Sequence, residues 1–481
     1  MAGTEDYRSF LDYQHHSGID RTFDTETEMK RDYSEKKVVV IGAGLSGQAL
    51  VRYLVTRGAS VALSDQRQAE QIAGLESLEG LPVRYDFGGH DLSLFEQADL
   101  VAVSPGVPLD CEPLRLAASL NIPLLGEIEI AAAEIEAPII GITGTNGKST
   151  TTSLIGEVMR VCNRRVFVGG NIGTPLVEAC DEDYDVLAVE LSSFQLETVR
   201  KFHPRFGLLL NLSSDHLDRY PDLHSYYLAK LEMFRNMNAS DFAILNADDP
   251  EICRLADSIK ATKVWFSAEG KDVQGMLREI DHLYWNWNGA NINLPLAQLQ
   301  LQGDHNIENA MAAMIPALLM GCPAEDAWRA VCSFTGLEHR MQLVRKLNGV
   351  SWYNDSKGTN VGSVVKSLSG LQAPVTLIAG GKDKGGEYAP LRPLVEEKVE
   401  TLILIGEAAA RMAQELSGAT QIRLAATLES AVEQAYEVTP AGGTVLLSPA
   451  CSSFDMFKNF AVRGEEFSRL VQQLSAEGGA A

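Results

Sequence analysis

A glycine-rich loop between an apolar run and a helical pattern carries the residues most able to do chemistry. The loop reads Gly144-Thr-Asn-Gly-Lys-Ser-Thr150 and follows the apolar run 139–142. Glycines let backbone N–H groups close on phosphate oxygens, and the start of the next helix adds partial positive charge. Lys148 can reach the β- and γ-phosphates, and the hydroxyls of Ser149 and Thr150 can ligate Mg²⁺. The pattern predicts a triphosphate cradle, although an isoleucine replaces the first glycine of GxxxxGK[ST].

Acidic and imidazole side chains stand where two further apolar runs end. Glu190 closes the run that begins at Asp185, and Asp215 and His216 follow the run 206–210. Carboxylate oxygens at such strand ends suit Mg²⁺ that is shared with phosphates. The alternative for Glu190 is a carboxylate that faces water.

One lysine and two asparagines lie on predicted helices further along. Lys230 stands among apolar residues of the helix 225–235, where a lysine most often extends to the surface. Asn306 and Asn309 are three residues apart and share a helix face, so their amides can read an adenine edge. Helix N-capping is the alternative for these two residues.

Two flanking regions complete the α/β pattern. Near the N-terminus, the strand 37–41 runs into GxGxxG, and Asp65 closes the next strand, where a Rossmann half-site presents an acid to a ribose or base. From about residue 336, strands at 350–355, 374–381, 402–406 and 445–448 alternate with helical segments. Polar loops follow these strands and suit a carboxylate-bearing ligand; the loops are 355–360, 380–384 and 448–454.

Length and composition set the broad class. The 481 residues are too many for one typical core, and the patterns divide them into a polar leader 1–35 and domains 36–126, 127–335 and 336–481. The formal net charge of -23 argues against a broad nucleic-acid-binding surface. The seven cysteines are scattered without a CxxC, and no apolar run has membrane-spanning length. We therefore expect a cytoplasmic protein with reduced cysteines that binds neither nucleic acid nor membrane.

Taken together, these segments resemble the Mur ligases, which are ATP-dependent amide-forming enzymes of peptidoglycan precursor synthesis. The resemblance runs from about Lys37 to the C-terminal end, and its most specific motifs are 144–150, 170–173, 190–196, 215–219 and 303–306. Within the family, segments 355–360 and 449–460 are similar to the members that add D-glutamate. The DNPR-like segment of the members that add meso-diaminopimelate is not found.

The resemblance implies a three-domain α/β fold. A Rossmann-like domain would hold the UDP substrate, a central P-loop-type domain would hold ATP, and a Rossmann-like C-terminal domain would hold the amino acid. It also implies ATP and Mg²⁺ as cofactors, UDP-N-acetylmuramoyl-L-alanine and D-glutamate as substrates, an acyl-phosphate intermediate, and a monomer. The leader departs from the family pattern and receives no function from it.

Site residues follow from the same resemblance, motif by motif. The expected UDP-substrate contacts are Leu45, Ser46, Asp65, Ser104, Gly106, Asn171 and His216. The expected ATP contacts are Gly144, Thr145, Asn146, Gly147, Lys148, Ser149, Thr150, Asn306, Arg340 and Asp355. The expected D-glutamate contacts are Lys357, Thr359, Lys384, Ser453 and Phe460. The metal ligands would be Ser149, Glu190, His216 and a carbamylated Lys230, with Lys148, His216 and Lys230 as the catalytic set.

Two alternatives stay open. A ligase similar to folylpolyglutamate synthase would share the phosphate loop and the last domain, but a pterin substrate would not need the N-terminal βαβ domain. A non-catalytic switch that senses a UDP-sugar and ATP is the other alternative, and the polar loops of the last domain argue against it. ATP turnover that depends on a second, amino-acid substrate would separate an enzyme from a switch.

Overall fold

Apolar runs rich in valine, isoleucine and leucine form the first sheet, as expected for parallel strands that are buried on both faces. The computed structural model describes residues 32–475 except 218, 302, 384 and 386. The first sheet is parallel, has the order β3-β2-β1-β4-β5, and comprises β1 Lys37–Ile41, β2 Ser60–Asp65, β3 Val83–Phe87, β4 Leu100–Val103 and β5 Leu124–Gly126. This is the strand order of a Rossmann-type nucleotide domain.

The second sheet contains the strand before the phosphate loop. Its order is β14-β13-β12-β11-β10-β9-β6-β8-β7. Its strands are β6 Ile139–Thr143, β7 Val166–Gly170, β8 Val186–Glu190, β9 Phe206–Leu209, β10 Phe242–Asn246, β11 Thr262–Ser267, β12 Gly275–Glu279, β13 His282–Trp287 and β14 Ala290–Pro295. The pairs from β7 to β12 are parallel, and β12, β13 and β14 form an antiparallel extension that the sequence analysis missed.

The third sheet has the order β15-β16-β20-β17-β18-β19. Its strands are β15 Gln342–Leu347, β16 Val350–Asn354, β17 Val375–Gly380, β18 Val399–Ile405, β19 Gln421–Leu424 and β20 Thr444–Leu447. All pairs are parallel except the antiparallel pair β15–β16. Helices pack against its apolar faces, and the α/β class predicted from the sequence is confirmed.

The helices provide the other layers of the fold. In chain order they are α1 Leu45–Thr56, α2 Leu92–Glu96, α3 Glu112–Ser119, α4 Glu127–Ala132, α5 Lys148–Val161, α6 Ser193–Leu196, α7 Leu223–Leu231, α8 Pro250–Leu255, α9 Asp304–Leu319, α10 Ala324–Ser333, α11 Val361–Ser369, α12 Arg392–Lys398, α13 Ala409–Glu415, α14 Leu428–Val438 and α15 Phe460–Gln473. Across the part of the chain that the structure describes, no helix has the length and apolar character needed to cross a bilayer.

The chain folds into two units. The first comprises residues up to 212, 224–297 and 308–331 and contains the first two sheets. The second comprises 213–223, 298–307 and the residues from 332 onward and contains the third sheet. Within the first unit, the buried carboxylate of Glu129 on α4 accepts hydrogen bonds from three successive backbone N–H groups, those of Arg200, Lys201 and Phe202. This contact fastens the segment after β5 to the second-sheet region.

The predicted leader needs one correction at its end. Tyr33 is buried, and its ring lies edge-on to the ring of Tyr53 on α1. The backbone N–H of Glu35 donates to the carbonyl of Gly58. Residues 33–35 therefore pack on the first domain, because an aromatic ring among polar residues still gains from burial. The rest of the leader, 1–31, lies outside the described residues.

The expectation that all cysteines are reduced is also corrected. Cys162 and Cys322 form a disulfide with Cα atoms 5.8 Å apart. They follow the C-terminal ends of α5 and α9, and 160 residues separate them in sequence. Sequence spacing cannot reveal such a pair, because the fold alone brings the two helix ends together.

Candidate active site

The phosphate loop is formed by backbone conformations that glycine permits. Gly144 and Gly147 have φ of +146° and +87°, and a side chain at residue 147 would lie 2.3 Å from Oδ1 of Asn309. The helix α5 then begins at Lys148, whose Nζ donates to the carbonyls of Gly144 and Thr145, at 2.8 Å each. The lysine therefore lies folded over the loop that the sequence predicts to hold phosphates.

Two buried oxygens beside this loop accept no hydrogen bond from the described protein. They are Oγ1 of Thr150 on α5 and Oε2 of Glu190 at the end of β8. The other carboxylate oxygen of Glu190 accepts from Nδ2 of Asn171 at 2.9 Å. Burying a polar atom without a partner costs roughly 1–3 kcal/mol, and a bound group can recover that cost. A hydroxyl and a carboxylate oxygen are ligands that Mg²⁺ prefers, so the residues fit this ion.

A protein-only metal cage is not seen. Within residues 32–475, less the four positions left out, no group of three or more His, Cys, Asp or Glu side chains is placed to hold a metal ion. Magnesium is commonly bound by one or two protein ligands together with substrate phosphates and water. The donors Ser149, Thr150 and Glu190 match that sparse pattern, and Ser149 is buried as well.

Lys230 lies inside the first unit. Its side chain on α7 is 1% exposed, and Nζ donates to the carbonyl of Gly144 at 3.0 Å. The ammonium stands 4.5 Å from the ring centroid of Tyr226, whose hydroxyl reaches Oγ1 of Thr145 at 3.4 Å. The alternative of an ordinary surface lysine is therefore wrong, and Lys230 contacts the phosphate loop directly.

His216 belongs to the segment 213–223, which folds with the second unit. Its backbone has φ of +55°, an uncommon value for a residue with a side chain. Nε2 lies 3.7 Å from Oδ2 of Asp215, and that oxygen accepts from Nδ2 of Asn360 at 3.1 Å. The metal set that joins His216 to Glu190 and Lys230 stays a prediction, since those two residues fold with the first unit.

The end of β2 in the first sheet holds an ion pair. Burial would raise the pKa of Asp65, but hydrogen bonds from Arg67 and from the backbone N–H of Ala43 outweigh burial and lower that pKa to about 2. Arg67 donates through Nε and Nη2 to the two carboxylate oxygens, at 2.9 and 2.7 Å. Such a bidentate pair fixes a planar cation at the strand end. Sequence analysis missed Arg67, although it lies two residues after the predicted acid.

The other predicted UDP contacts differ in their solvent exposure. Leu45 and Gly106 are exposed and Ser46 is half-buried, as substrate contacts at a strand edge would be. Ser104 is buried, and its Oγ donates to the carbonyl of Gly42 in the GxGxxG loop at 2.7 Å. The hydroxyl of Ser104 therefore supports the loop from within the protein.

Asn306 and Asn309 have different surroundings. Helix α9 begins at Asp304, so Asn306 is inside its first turn and is not the N-cap residue. Asn309 is buried, and its Oδ1 accepts from Oγ1 of Thr151 at 3.2 Å. Asn309 thus joins α9 to α5, and the adenine contact of Asn306 remains a prediction.

The predicted ATP residue Asp355 is held inside the second unit. Its Oδ2 accepts from the hydroxyls of Ser448 and Ser367 at 2.6 and 2.7 Å, and its Oδ1 accepts from the backbone N–H of Met341 at 3.3 Å. Burial raises the pKa of this carboxyl group, against these hydrogen bonds. The ribose contact predicted for Asp355 is untested, and its visible role is to join three segments.

Arg340 is another predicted ATP residue of this unit. It lies near His305, whose pKa burial lowers to about 4, with Lys366 and Arg340 acting in the same direction. His305 is therefore neutral at pH 7, and the two cations beside it create a positive environment suited to phosphate.

The predicted D-glutamate residues come together in part. Nζ of Lys357 stands 4.0 Å from the ring centroid of Phe460. The backbone N–H of Ala450 donates to the carbonyl of Gly358 at 2.9 Å and so joins loops 355–360 and 448–454. Thr359 and Ser453 lie in these joined loops, while Lys384 lies outside the described residues.

Sequence analysis missed an arginine that supports both loops. Arg463 on α15 is 1% exposed and donates through Nε and Nη2 to Oγ and the carbonyl of Ser356, at 3.0 and 2.9 Å. It also reaches the carbonyls of Cys451 and Ser452. Burial lowers its pKa to about 10, which still leaves it charged at pH 7. The sequence feature that could have indicated this role is the position of Arg463, one helical turn after Phe460.

A tyrosine links loop 380–384 to loop 448–454. The hydroxyl of Tyr388 donates to Oδ1 of Asp383 at 3.0 Å and lies 3.2 Å from Sγ of Cys451. Nη1 of Arg411 donates to the other carboxylate oxygen of Asp383 at 2.8 Å. Burial raises the pKa of Tyr388, so its proton stays on the hydroxyl.

Comparisons with known proteins place the whole chain in a family. The sequence matches the family descriptions "Mur ligase MurD-like, N-terminal domain" over 36–126, "Mur ligase middle domain" over 142–317, and "Mur ligase, glutamate ligase domain" over 339–451. It is 55% identical over 448 residues to the UDP-N-acetylmuramoylalanine--D-glutamate ligase of Syntrophotalea carbinolica, which covers 93% of this chain and 100% of that protein. The protein of the same name from Geotalea uraniireducens is 49% identical over 92% of this chain and 99% of its own length.

Solved structures show the same fold at low identity. The pseudomurein peptide ligase type C of Methanothermus fervidus has a TM-score of 0.60 at 20% identity, over 92% of this chain and 100% of that chain. The UDP-N-acetylmuramate-alanine ligase of Thermotoga maritima has a TM-score of 0.58 at 18% identity, over 91% and 99%. The fold, the phosphate loop and the identity to curated relatives together establish that the chain belongs to the Mur ligase family.

Proposed function

We propose that the protein joins D-glutamate to UDP-N-acetylmuramoyl-L-alanine with conversion of ATP to ADP and phosphate, in peptidoglycan precursor synthesis. The observation that supports it most is the phosphate loop, where Lys148 lies over the loop and buried oxygens of Thr150 and Glu190 have no hydrogen-bond partner among the described residues. The names of relatives at 49% and 55% identity supply the substrates.

The proposed reaction has two steps. The substrate carboxylate attacks the γ-phosphorus of ATP, the bond to the bridging oxygen breaks, and ADP leaves. The amine of D-glutamate then attacks the acyl phosphate, a tetrahedral intermediate collapses with release of phosphate, and the nitrogen loses a proton. Lys148 and the N-terminus of α5 stabilise the negative charge on the transferring phosphoryl group.

Magnesium would be held by Ser149, Thr150 and Glu190 together with phosphate oxygens. When bound, this ion neutralises phosphate charge. Asn171 would orient Glu190, because it occupies the second carboxylate oxygen at 2.9 Å. His216 would serve the metal and the muramoyl-alanine end, as the resemblance implies.

We propose that Lys230 is carbamylated in the working enzyme. The ammonium would lose one proton, and the neutral Nζ would then attack CO₂ and lose a second proton. This replaces a positive charge near the phosphates with a negative group whose oxygens suit Mg²⁺. The burial of Lys230 against the phosphate loop supports this proposal. Native mass measurement with and without bicarbonate tests it: an unmodified Lys230 in active enzyme would contradict it.

The substrates divide among three domains with the boundaries 36–126, 127–335 and 336–481. Asp65 and Arg67 would face the uridine diphosphate, and Lys357, Thr359, Lys384, Ser453 and Phe460 would hold D-glutamate. A cytoplasmic monomer is part of the same proposal.

ADP release in the presence of UDP-N-acetylmuramoyl-L-alanine and a panel of D- and L-amino acids tests the proposal. We expect turnover with D-glutamate and background with L-glutamate. Turnover with another amino acid would assign a different ligase of the family. ATP binding without any amino-acid-dependent turnover would favour the non-catalytic switch.

A further inference from the structure

Three polar side chains that the proposed function does not use meet next to Asp65. Ser64 precedes Asp65 on β2 and is buried. Its Oγ lies 2.7 Å from Oδ2 of Asp86 and 2.7 Å from Nδ1 of His90. Asp86 is the register partner of Ser64 on β3, and its Oδ2 also accepts from the backbone N–H of Asp91 at 3.0 Å.

The number of protons fixes the direction of these hydrogen bonds. A serine hydroxyl has one proton, and the carboxylate oxygen of Asp86 can only accept it. Ser64 therefore donates to Asp86, and its oxygen is left to accept from His90. Nδ1 of His90 must then carry a proton, so the relay runs from His90 through Ser64 to Asp86.

The segment after β3, which contains His90, also holds the residues that follow Asp65. The backbone N–H of Gly88 donates to the carbonyls of Asp65 and Arg67, at 3.1 and 3.0 Å. The ring of His90 packs edge-on against Phe95, which is fully buried. The strand ends of β2 and β3 are thus tied at the level of Asp65 by backbone and side chain together.

We propose that His90 is a positioning residue of the UDP-substrate site. Through its Nδ1–H and Ser64, it holds the ends of β2 and β3 so that the Asp65–Arg67 ion pair is presented to the nucleotide. The inference rests on the proposed function, which places the uridine diphosphate at this edge. Nothing in the relay touches the reacting atoms, so its effect falls on substrate affinity.

Substitutions that mimic one ring nitrogen at a time test the proposal. The amide N–H of His90→Asn can take the place of Nδ1, that of His90→Gln takes the place of Nε2, and His90→Phe replaces neither. We expect His90→Asn to stay within about two-fold of the wild type. We expect the other two to raise KM for the UDP substrate roughly five-fold, the value of one hydrogen bond. KM for ATP and kcat should not change.

Three results would overturn the proposal. Equal KM values for all variants would remove any role of His90, and retention by His90→Gln with loss by His90→Asn would mean that Nε2 meets the substrate directly. The ¹⁵N spectrum of the full chain gives a second readout, which should show His90 protonated at Nδ1. An Nε2-only tautomer would contradict the relay. If wild-type protein does not use the UDP substrate, the proposed function fails instead, while the tautomer still tests the relay.

Discussion

Buried polar side chains, each with several partners, hold the predicted ligand-binding loops in place. Arg463 fixes two loops, Asp355 joins three segments, and Asp65 fixes the guanidinium of Arg67. The positions of Lys148 in a glycine-rich loop and of Glu190 at a strand end could be predicted from the sequence, because motif spacing and the apolar runs place them there. Lys230 was singled out only through the family resemblance, because its own sequence surroundings favour a surface lysine. The roles of Arg463 and Arg67 could not be predicted from the sequence, because they depend on which segments the fold brings near these side chains.

Tyr388→Phe removes the hydroxyl that joins Asp383 to Cys451. We expect KM for D-glutamate to rise roughly five-fold, because one buried hydrogen bond that orders loop 380–384 is lost. KM for ATP should not change. Tyr436→Phe is the matched control, since the hydroxyl of Tyr436 donates to the carbonyl of Ser475, away from these loops. Steady-state kinetics measure these KM values. An unaltered KM for D-glutamate in Tyr388→Phe would show that the Tyr388 hydroxyl does not affect the D-glutamate site.

Among the secondary-structure elements, the helix starts and strand ends carry most of the chemistry. The strands that precede the sites were predicted to within a few residues, since their apolar runs are continuous. The hairpin of β13 and β14 was missed, although its turn is Asn288-Gly289, a dipeptide that favours tight hairpins. Edge strands such as β15 and β19 were missed because most of their residues are exposed or only half-buried and the apolar pattern is weak.

The start of α4 carries a carboxyl group whose ionisation opposes folding. Burial raises the pKa of Glu127 from 4.5 to about 7. A raised pKa means that the native state keeps the proton longer, so stability falls as pH rises from about 4.5 to about 7. The difference of about 2.5 units corresponds to about 3 kcal/mol. We expect Glu127→Gln to be more stable relative to wild type at pH 8 than at pH 5.

Thermal unfolding of both proteins at the two pH values measures this difference. Glu157→Gln is a control, since Glu157 is an exposed carboxylate of α5 that pairs with Arg160. A difference between Glu127→Gln and wild type that does not vary with pH would show that Glu127 is already ionised at pH 5.

The disulfide at the ends of α5 and α9 should stabilise the first unit. The bond between Cys162 and Cys322 closes a loop of 160 residues. In the chain-entropy account, this closure raises the free energy of the unfolded chain by roughly 5 kcal/mol. We expect Cys162→Ser to lower the midpoint of thermal unfolding under oxidising conditions. A reductant should remove the difference. Absence of a linked peptide of these two cysteines in a non-reducing digest would contradict the pairing.

For the whole molecule, the three sheets and the family could be predicted from the sequence, because each sheet has its own apolar runs and its own loop motifs. The division into two units could not be predicted, since it depends on contacts that the fold creates. An example is the carboxylate of Glu129, which accepts hydrogen bonds from the backbone at residues 200–202. Because the net charge is -23, anionic substrates would have to be bound by local positive charge and not by the field of the whole molecule.

In the proposed reaction, the substrate carboxylate receives the γ-phosphoryl group of ATP before D-glutamate attacks. UDP-N-acetylmuramoyl-L-alanine labelled with ¹⁸O in its carboxylate tests this most directly, with the released phosphate analysed by mass. We expect each phosphate released in the presence of D-glutamate to carry one ¹⁸O atom, and Lys148→Ala to release none above background. Unlabelled phosphate from an active wild-type enzyme would exclude phosphoryl transfer to the carboxylate.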